Sequence, residues 1–500
     1  MLDAAIGDFL DTVTEREFDP VIIALLAARG FHDIHFIHGS FEFGKDIIAK
    51  RADPDTGIVH QYAIQSKAGD LGQHEWRAVR PQLEEAEYNT LGHPNFDDQM
   101  PRVAVLLTTG RLKGAAPSDA QQFAKTAEKR GLARIEFWDR HDLTGWLTSR
   151  PDLALLSLDD EHALQGMLVT VRADTVDEPQ LERFSRRWID GDTAGIEAAV
   201  LINAFREHQR LDLAAMTAIH MFRGVLLRTG STAESARRLF CAVSMLLLDA
   251  VEPLLADPAD LARVDLHPAS LVTYAVTAVR TTEILALAAL VHDDEDERAR
   301  LTDAVITLAT SHPGTARPVS DQFAFSLIPI TVVLHRSDPQ RAAAYLRSVA
   351  QWLMERSDPE RAGLGLGSMD ETPLTVVERL LGGWLETTTL TRAQTSYVLT
   401  VLLDLCVAAD LTDVFTDVRS DAGALRITPD ATSVGTRRET FRRAGGTVRP
   451  VPRIMYDADG SATPPRDIEC EWPPLDALLL LASCRSRLYT GTLTALLREA

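Results

Sequence analysis

Hydrophobic residues recur at helical spacing across residues 17–30 (EFDPVIIALLAARG), with Pro20 suited to a first turn and Gly30 to a C-terminal cap. The period then changes. Residues 32–38 (HDIHFIH) alternate as a strand does, 46–51 (DIIAKR) read as a second strand, and the ADPDTG that follows is turn chemistry. A third strand is predicted at 60–67 (HQYAIQSK), then a helix over 73–89 on which Trp76, Val79, Leu83 and Ala86 share one face. The run RVAVLLTT at 102–109 is apolar almost throughout, as expected of a strand covered on both sides. A helix at 117–131, a strand at 134–138 and a short helix at 141–148 complete the order α-β-β-β-α-β-α-β-α. That order predicts a small mixed sheet with helices on its faces.

Beyond about residue 151 the strand signals fade. Long amphipathic stretches rich in Leu, Ala and Val take over at 236–256, 268–292, 297–311, 322–335, 339–356, 372–386 and 391–409, separated by breaks such as HDDED and SHPGTARP. The polar residues 168–188 read as a linker into them. The expected fold class is therefore α+β in the first part and α in the second. The expected domains are 1–150, a linker at 151–188, a helical domain at 189–420, and an irregular segment with a C-terminal helix (475–498) at 421–500. No fixed-period repeat consensus is visible, although a run of helices like this is also what a solenoid uses. Since the predicted strands and helices of the first part close among themselves, a fragment ending near residue 155 is expected to fold alone.

Composition narrows the class. In a chain of 500 residues, 45% hydrophobic and 25% charged content excludes a disordered, collagen-like or disulfide-scaffold protein. Cys241, Cys406, Cys470 and Cys484 lie far apart with no CxxC pair, which argues against a zinc ribbon and fits a reducing compartment. A formal net charge of −21 argues against non-specific coating of nucleic acid, while allowing a local basic groove. The amino terminus lacks a basic region followed by an apolar stretch. The longest uncharged apolar run, Gln322 to His335, is shorter than the roughly 20 residues a spanning helix needs. A cytoplasmic protein with no membrane segment is expected. The six lysines are Lys45, Lys50, Lys67, Lys113, Lys125 and Lys129, while arginine runs throughout. A GC-rich coding bias accounts for their scarcity. Their clustering still marks the first part as a separate unit, and each retained lysine is a candidate for a task arginine cannot perform.

The candidate chemistry lies among them. Asp46 opens the second predicted strand, and Gln65-Ser66-Lys67 ends the third. Gln65 and Lys67, two apart, share one face of the sheet, and a hairpin of the two strands brings Asp46 near that face. A carboxylate with an amide or main-chain oxygen offers hard donors for Mg²⁺. A neighbouring ammonium can orient a water or stabilise charge on a phosphate. Phosphodiester hydrolysis needs this combination. Asp46→Ala and Lys67→Ala are expected to abolish such activity while changing stability by no more than about 1 kcal/mol, as for a polar strand edge.

The segments GKDIIAK, YAIQSKAGD, VAVLLTTG and RIEFWDRHDLTGWL, in this order, resemble the restriction-endonuclease-like superfamily with the PD-(D/E)XK motif. They look closest to its Mrr-like branch, in which glutamine often replaces the acidic residue before xK. The resemblance covers about residues 15–148. It implies that Asp46 is the metal-binding aspartate, Gln65 the variant acidic position and second metal ligand, and Lys67 the catalytic lysine. It also implies an acid from the first helix, either Asp19 or Glu17, with Glu42 as a further acid near the metal. Mg²⁺ or Mn²⁺ is the implied cofactor, DNA the implied partner, and bacterial restriction or antiphage defence the implied setting. In that setting the helical region would act as a sensor or assembly module, meeting a protein trigger or a second copy of the chain. Two other readings stand beside this one: an inactive nuclease fold that binds nucleic acid as a scaffold, and an RNA-cleaving effector with the same metal site.

Other motifs have simpler readings. His32, His35 and His38, three apart on a strand, alternate between faces and do not form a metal cluster. His60 and His74 are read as surface residues. The arginine pairs at 186–187, 237–238, 437–438 and 442–443 are read as solvated, and Asp190-Gly191-Asp192 as a turn.

Overall fold

The computed structural model describes the chain except for residues 1–5, 8, 12, 38–44, 55, 89–93, 98, 132, 151–152, 154–157, 190–193, 230–232, 256–267, 369–370, 382–389, 430–454, 457–461, 464–472, 485–492, 494 and 498–500. It divides into two compact units, one of residues 1–173 and 191–204, the other of residues 174–190 and 205–500. Glu42, His38, Asp190-Gly191-Asp192 and the arginine pairs at 437–438 and 442–443 lie outside the described residues.

In the first unit, α1 (Glu15–Ala28) starts at a capping box in which Thr14 and Glu17 satisfy each other's backbone N–H groups. Pro20 therefore sits in the second turn, not the first as its chemistry suggests, because the Thr14 cap sets the start earlier. Gly30, at φ +82°, reverses the chain into β1 (His32–Phe36). β2 (Ile47–Ala52) and β3 (Val59–Lys67) form an antiparallel hairpin. Its turn is held by Asp53, whose carboxylate accepts from Thr56 N at 2.9 Å and whose N–H donates to Ile58 O at 2.8 Å. β4 (Arg102–Thr108) and β5 (Arg134–Trp138) add in parallel, giving a five-stranded sheet in the order β1-β2-β3-β4-β5. Parallel neighbours need crossovers. α2 (Gln73–Tyr88) and α3 (Ala116–Arg130) supply them, and α4 (Arg140–Ser149) follows β5.

Alternation along the strands builds two cores. Ile47, Ile64, Val103, Val105 and Leu107 pack under Phe18, Ile22 and Leu25 of α1 and Leu143 and Leu147 of α4. Ala63, Ala104 and Leu106 face the other way, under Trp76, Val79 and Leu83 of α2 and Phe123 of α3. Glu87 of α2 is fully buried and held by the Arg130 guanidinium of α3 at 2.6 and 3.0 Å, which ties the two crossovers together.

Further helices among the described residues are α5 (Leu158–Arg172), α6 (Glu178–Ser185), α7 (Ala194–Glu207), α8 (Leu211–Thr229), α9 (Ala233–Val251), α10 (Pro268–Val291), α11 (Glu295–Ser311), α12 (Leu327–Ser337), α13 (Pro339–Ser357), α14 (Pro373–Leu381), α15 (Tyr397–Ala408), α16 (Thr412–Ala424) and α17 (Pro474–Cys484). A linker is expected over 151–188, but α5 and α6 fold there: Leu164, Met167, Val171 and Leu181 are buried, and Asp177 and Gln180 form a capping box. Ile196 and Val200 of α7 pack on the first core, so a chain cut near residue 155 lacks part of it. The helix expected from 391 begins only at Tyr397. Thr395–Ser396 pair as a short strand with Thr428–Pro429, and Ser396 then caps α15.

In the second unit, the segment Tyr274–Val291 of α10 is long and apolar enough to cross a bilayer, but 83% of it is buried within the structure. Its two charged residues pair there. Arg280 meets Glu178 and Glu283, and Ser326 donates to Glu283. A second buried network joins Arg223 Nη1 to Glu182 Oε1 at 3.3 Å, Arg223 Nη2 to Ser185 Oγ at 2.9 Å, and Arg186 Nη2 to Glu182 Oε2 at 2.8 Å. The loss of one partner from an ion pair this deep leaves an uncompensated buried charge.

Candidate active site

Asp46 lies where the β2–β3 ladder ends. The register closes at the Ile47–Ile64 pair, and the last backbone bond between the strands runs from Asp46 N to Ile64 O at 2.9 Å. β3 continues to Lys67, where the described residues pair it with β4 through the Gln65–Leu106, Ser66–Leu107 and Lys67–Thr108 positions. In place of a strand carbonyl, the Asp46 carboxylate takes the Ser66 N–H, at 2.7 Å to Oδ2. The same oxygen accepts from Gln65 Nε2 at 2.5 Å. Asp46 is half-buried and Gln65 is 3% exposed. The carboxylate is thus part of the sheet's hydrogen bonding. Removing it strands a backbone N–H, so Asp46→Ala is expected to cost about 1–3 kcal/mol and not to stay within the smaller range expected of a strand edge.

Lys67 sits at the end of the same strand, and its Nζ reaches Glu15 Oε1 at 3.1 Å. With side chains 27% and 46% exposed, this pair contributes little stability and serves to locate the ammonium. Glu15 is not among the residues named from sequence. Of the two that are, Glu17 is engaged at the start of its own helix: its Oε2 accepts from Thr14 Oγ1 at 2.7 Å and Thr14 N at 3.0 Å. Those bonds, the hydroxyl's first, hold its carboxyl below the usual carboxylate range. Asp19 is half-buried and lies four residues after Glu15, on the same face of α1. That spacing is the signal by which Glu15 could have been found.

Lys45, beside Asp46, is fully buried, with its Nζ 4.9 Å from the Phe96 ring centre. Burial, with nearby Arg102 adding to it, lowers its pKa to about 8. Gln61 faces the same side of β3 as Gln65 but serves structure: its amide pairs with the Asp97 backbone, accepting at 2.8 Å and donating at 3.3 Å. His35 bonds Asn95 at 2.8 Å, and His60 bonds Ile58 O at 3.2 Å.

The donors at this strand end suit a hard divalent cation. Asp46 offers a carboxylate, and an amide that donates through Nε2 can still present its oxygen. Among the described residues, no group of three or more His, Cys, Asp or Glu converges. A cation held here would keep most of its shell as water and phosphate oxygen, the habit of Mg²⁺.

Residues 10–147 match the family model of the Mrr catalytic domain, described as a restriction endonuclease. The N-terminal domain is restriction-endonuclease-like. The match runs from just before α1 to the end of α4 and includes the whole five-stranded sheet. No match was found among curated proteins or solved structures. The restriction-endonuclease-like domain is followed by a largely helical region. Chemically, its strand end combines a pre-oriented carboxylate, an amide oxygen and a located ammonium.

Proposed function

We propose that the protein is a metal-dependent endonuclease that hydrolyses DNA phosphodiester bonds and acts in bacterial restriction or antiphage defence. The observation that carries this reading is the meeting of Asp46, Gln65 and the Ser66 N–H at the end of β3, with Lys67 next along the strand, inside a restriction-endonuclease-like domain. Asp46 and the Gln65 amide oxygen are the groups that would hold Mg²⁺ or Mn²⁺. The cation would supply a Lewis acid beside the scissile phosphate. The Ser66 N–H and Gln65 Nε2 orient the Asp46 carboxylate in advance, so no reorganisation is needed when substrate arrives. Lys67 positions the attacking water and offsets charge growing on the phosphate. Glu15 holds that ammonium near the strand end until a phosphate competes for it. Asp19, on the same helix face, is the supporting acid, and Glu17 caps the helix.

The helical unit is read as the sensing or assembly part, meeting a protein trigger or a second copy of the chain. Nicking of supercoiled plasmid by the purified full chain tests the activity, with RNA in parallel. Cleavage that requires a divalent cation and vanishes in Lys67→Ala supports it. Failure to cut DNA with any divalent cation sinks it. The sparse donor set favours a second reading, a nuclease fold that binds DNA without cutting; retained DNA binding in such an inactive chain would be its mark.

A further inference from the structure

The β4 end that follows the paired strand carries three consecutive buried residues, Thr108, Thr109 and Gly110, and all three close on the turn just after Lys67. Thr108 and Thr109 are 2% and 1% exposed. Thr109 N donates to Lys67 O at 3.2 Å. Thr109 Oγ1 accepts from Gly69 N at 2.8 Å, and Thr108 Oγ1 donates to Gly69 O at 2.6 Å. Gly69 stands at φ +78°, a left-handed position that glycine adopts freely, and it reverses the chain two residues past the lysine. The two threonine hydroxyls thus satisfy both backbone groups of the turn residue. Gly110 completes the contact, because a Cβ there would stand 2.2 Å from the Gly69 carbonyl carbon. Further along, Arg111 N donates to Asp70 Oδ1 and Leu71 N to Arg111 O, each at 2.9 Å, so the two loops remain zipped.

This clasp acts where β3 has lost its other neighbour. From Gln65 onward the β2 register has ended, and among the described residues the Asp46 carboxylate takes the Ser66 N–H on that side. The Lys67 side chain is long and partly exposed, so its ammonium is only as well aimed as the main chain that carries it. We propose that Thr108 and Thr109, with Gly110 admitting the close approach, are positioning residues of the nuclease site. They grip Gly69 and thereby fix the main chain of Lys67. The inference rests on the nuclease reading and adds to it two threonines that act through the main chain of Lys67.

The test uses the full chain with Thr109→Val, which keeps the shape and removes the hydroxyl, and Thr109→Ser, which restores it. Steady-state cleavage of a short DNA duplex should show kcat reduced about 10–100-fold in Thr109→Val, the size of loss expected from a misplaced catalytic group. KM should be unchanged, and Thr109→Ser should recover most of the rate. Acetylation of Lys67, read by mass spectrometry against Lys113 as reference, reports the lysine's position without any cleavage. It should be faster in Thr109→Val and normal in Thr109→Ser. A wild-type rate together with unchanged Lys67 acetylation in Thr109→Val would overturn the proposal, as would a serine variant as impaired as the valine one. A wild-type chain that never cuts defeats the nuclease reading instead, while the acetylation result still decides whether the clasp holds the lysine.

Discussion

Replacing Gln65 by glutamate strains the end of β3 most directly. In the wild type, Gln65 Nε2 stands 2.5 Å from Asp46 Oδ2 and donates to it. In Gln65→Glu a second carboxylate occupies that place. Two unit charges about 4 Å apart repel by ~1 kcal/mol in a water-like medium and by ~4 kcal/mol at an effective dielectric near 20. Gln65 is only 3% exposed, so the larger figure is the better guide. With a lost hydrogen bond worth about 1 kcal/mol, local stability should fall by about 3–5 kcal/mol at neutral pH without a divalent cation. Two conditions relieve it. Towards about pH 4 the pair shares a proton; the folded state then binds more protons than the unfolded chain, and stability falls as pH rises from there to neutrality. Excess Mg²⁺ also relieves it, by about 2.7 kcal/mol at a free concentration near 100 times Kd. Because the chain has two units, a global melt is not a clean measure. Amide hydrogen exchange over residues 59–67 is. The variant should exchange fast in chelator at neutral pH and regain protection with Mg²⁺ or acid, and with excess Mg²⁺ it should cut at least as fast as the wild type. Protection equal to wild type in every condition would mean that residue 65 does not face Asp46, and the proposed donor set would fall with it.

Asp46→Ala should abolish cleavage and speed exchange at Ser66 by an amount matching about 1–3 kcal/mol, whereas Lys67→Ala should abolish cleavage with stability changed by less than about 1 kcal/mol; equal stability losses in the two would contradict the hydrogen bonding described. In the helical unit, Glu182→Ala removes a carboxylate from the fully buried Arg223 and should destabilise that unit by about 1–3 kcal/mol, read by exchange in α6 and α8. Arg379 holds the Glu371 carboxyl below the usual carboxylate range, so the pair's contribution is present above about pH 4.5 and is lost as pH falls through the depressed value. Glu371→Gln should therefore cost about 1–3 kcal/mol at neutral pH and progressively less in acid, and a cost independent of pH would refute the ionic account.

The N-terminal fold was legible because its strands and helices differ in period and are separated by strong turn residues. Arg134–Trp138 agrees to the residue, and β3 to within one. α1 starts earlier than Pro20 suggests because proline is a weaker signal than the Thr14–Glu17 box. The stretch at 151–188 looked like a linker because α5 and α6 are mostly polar, with only one narrow buried stripe each. At the candidate site, the meeting of Asp46 with the end of β3 could be read from spacing, but the partner of Lys67 could not. Glu15, Glu17 and Asp19 lie within five residues on one helix, and only the direction of each side chain separates them. Gln61 and Gln65 posed the same problem on one face of one strand, and their partners, a loop backbone and a carboxylate, decide it.

The position of these groups follows from how the sheet ends. A strand that outruns its neighbour must find other partners for its backbone, since an unpaired buried N–H is costly. β3 outruns β2, and it finds Asp46 on that side and the Thr108–Thr109 hydroxyls just past its own end. The carboxylate that takes the Ser66 N–H is thereby held against the ladder itself. The lysine lies between that carboxylate and the turn the hydroxyls hold. Structural need and the proposed chemical use then fall on the same atoms, so removing Asp46 should loosen β3, while removing the Lys67 side chain, which makes an exposed ion pair, should not.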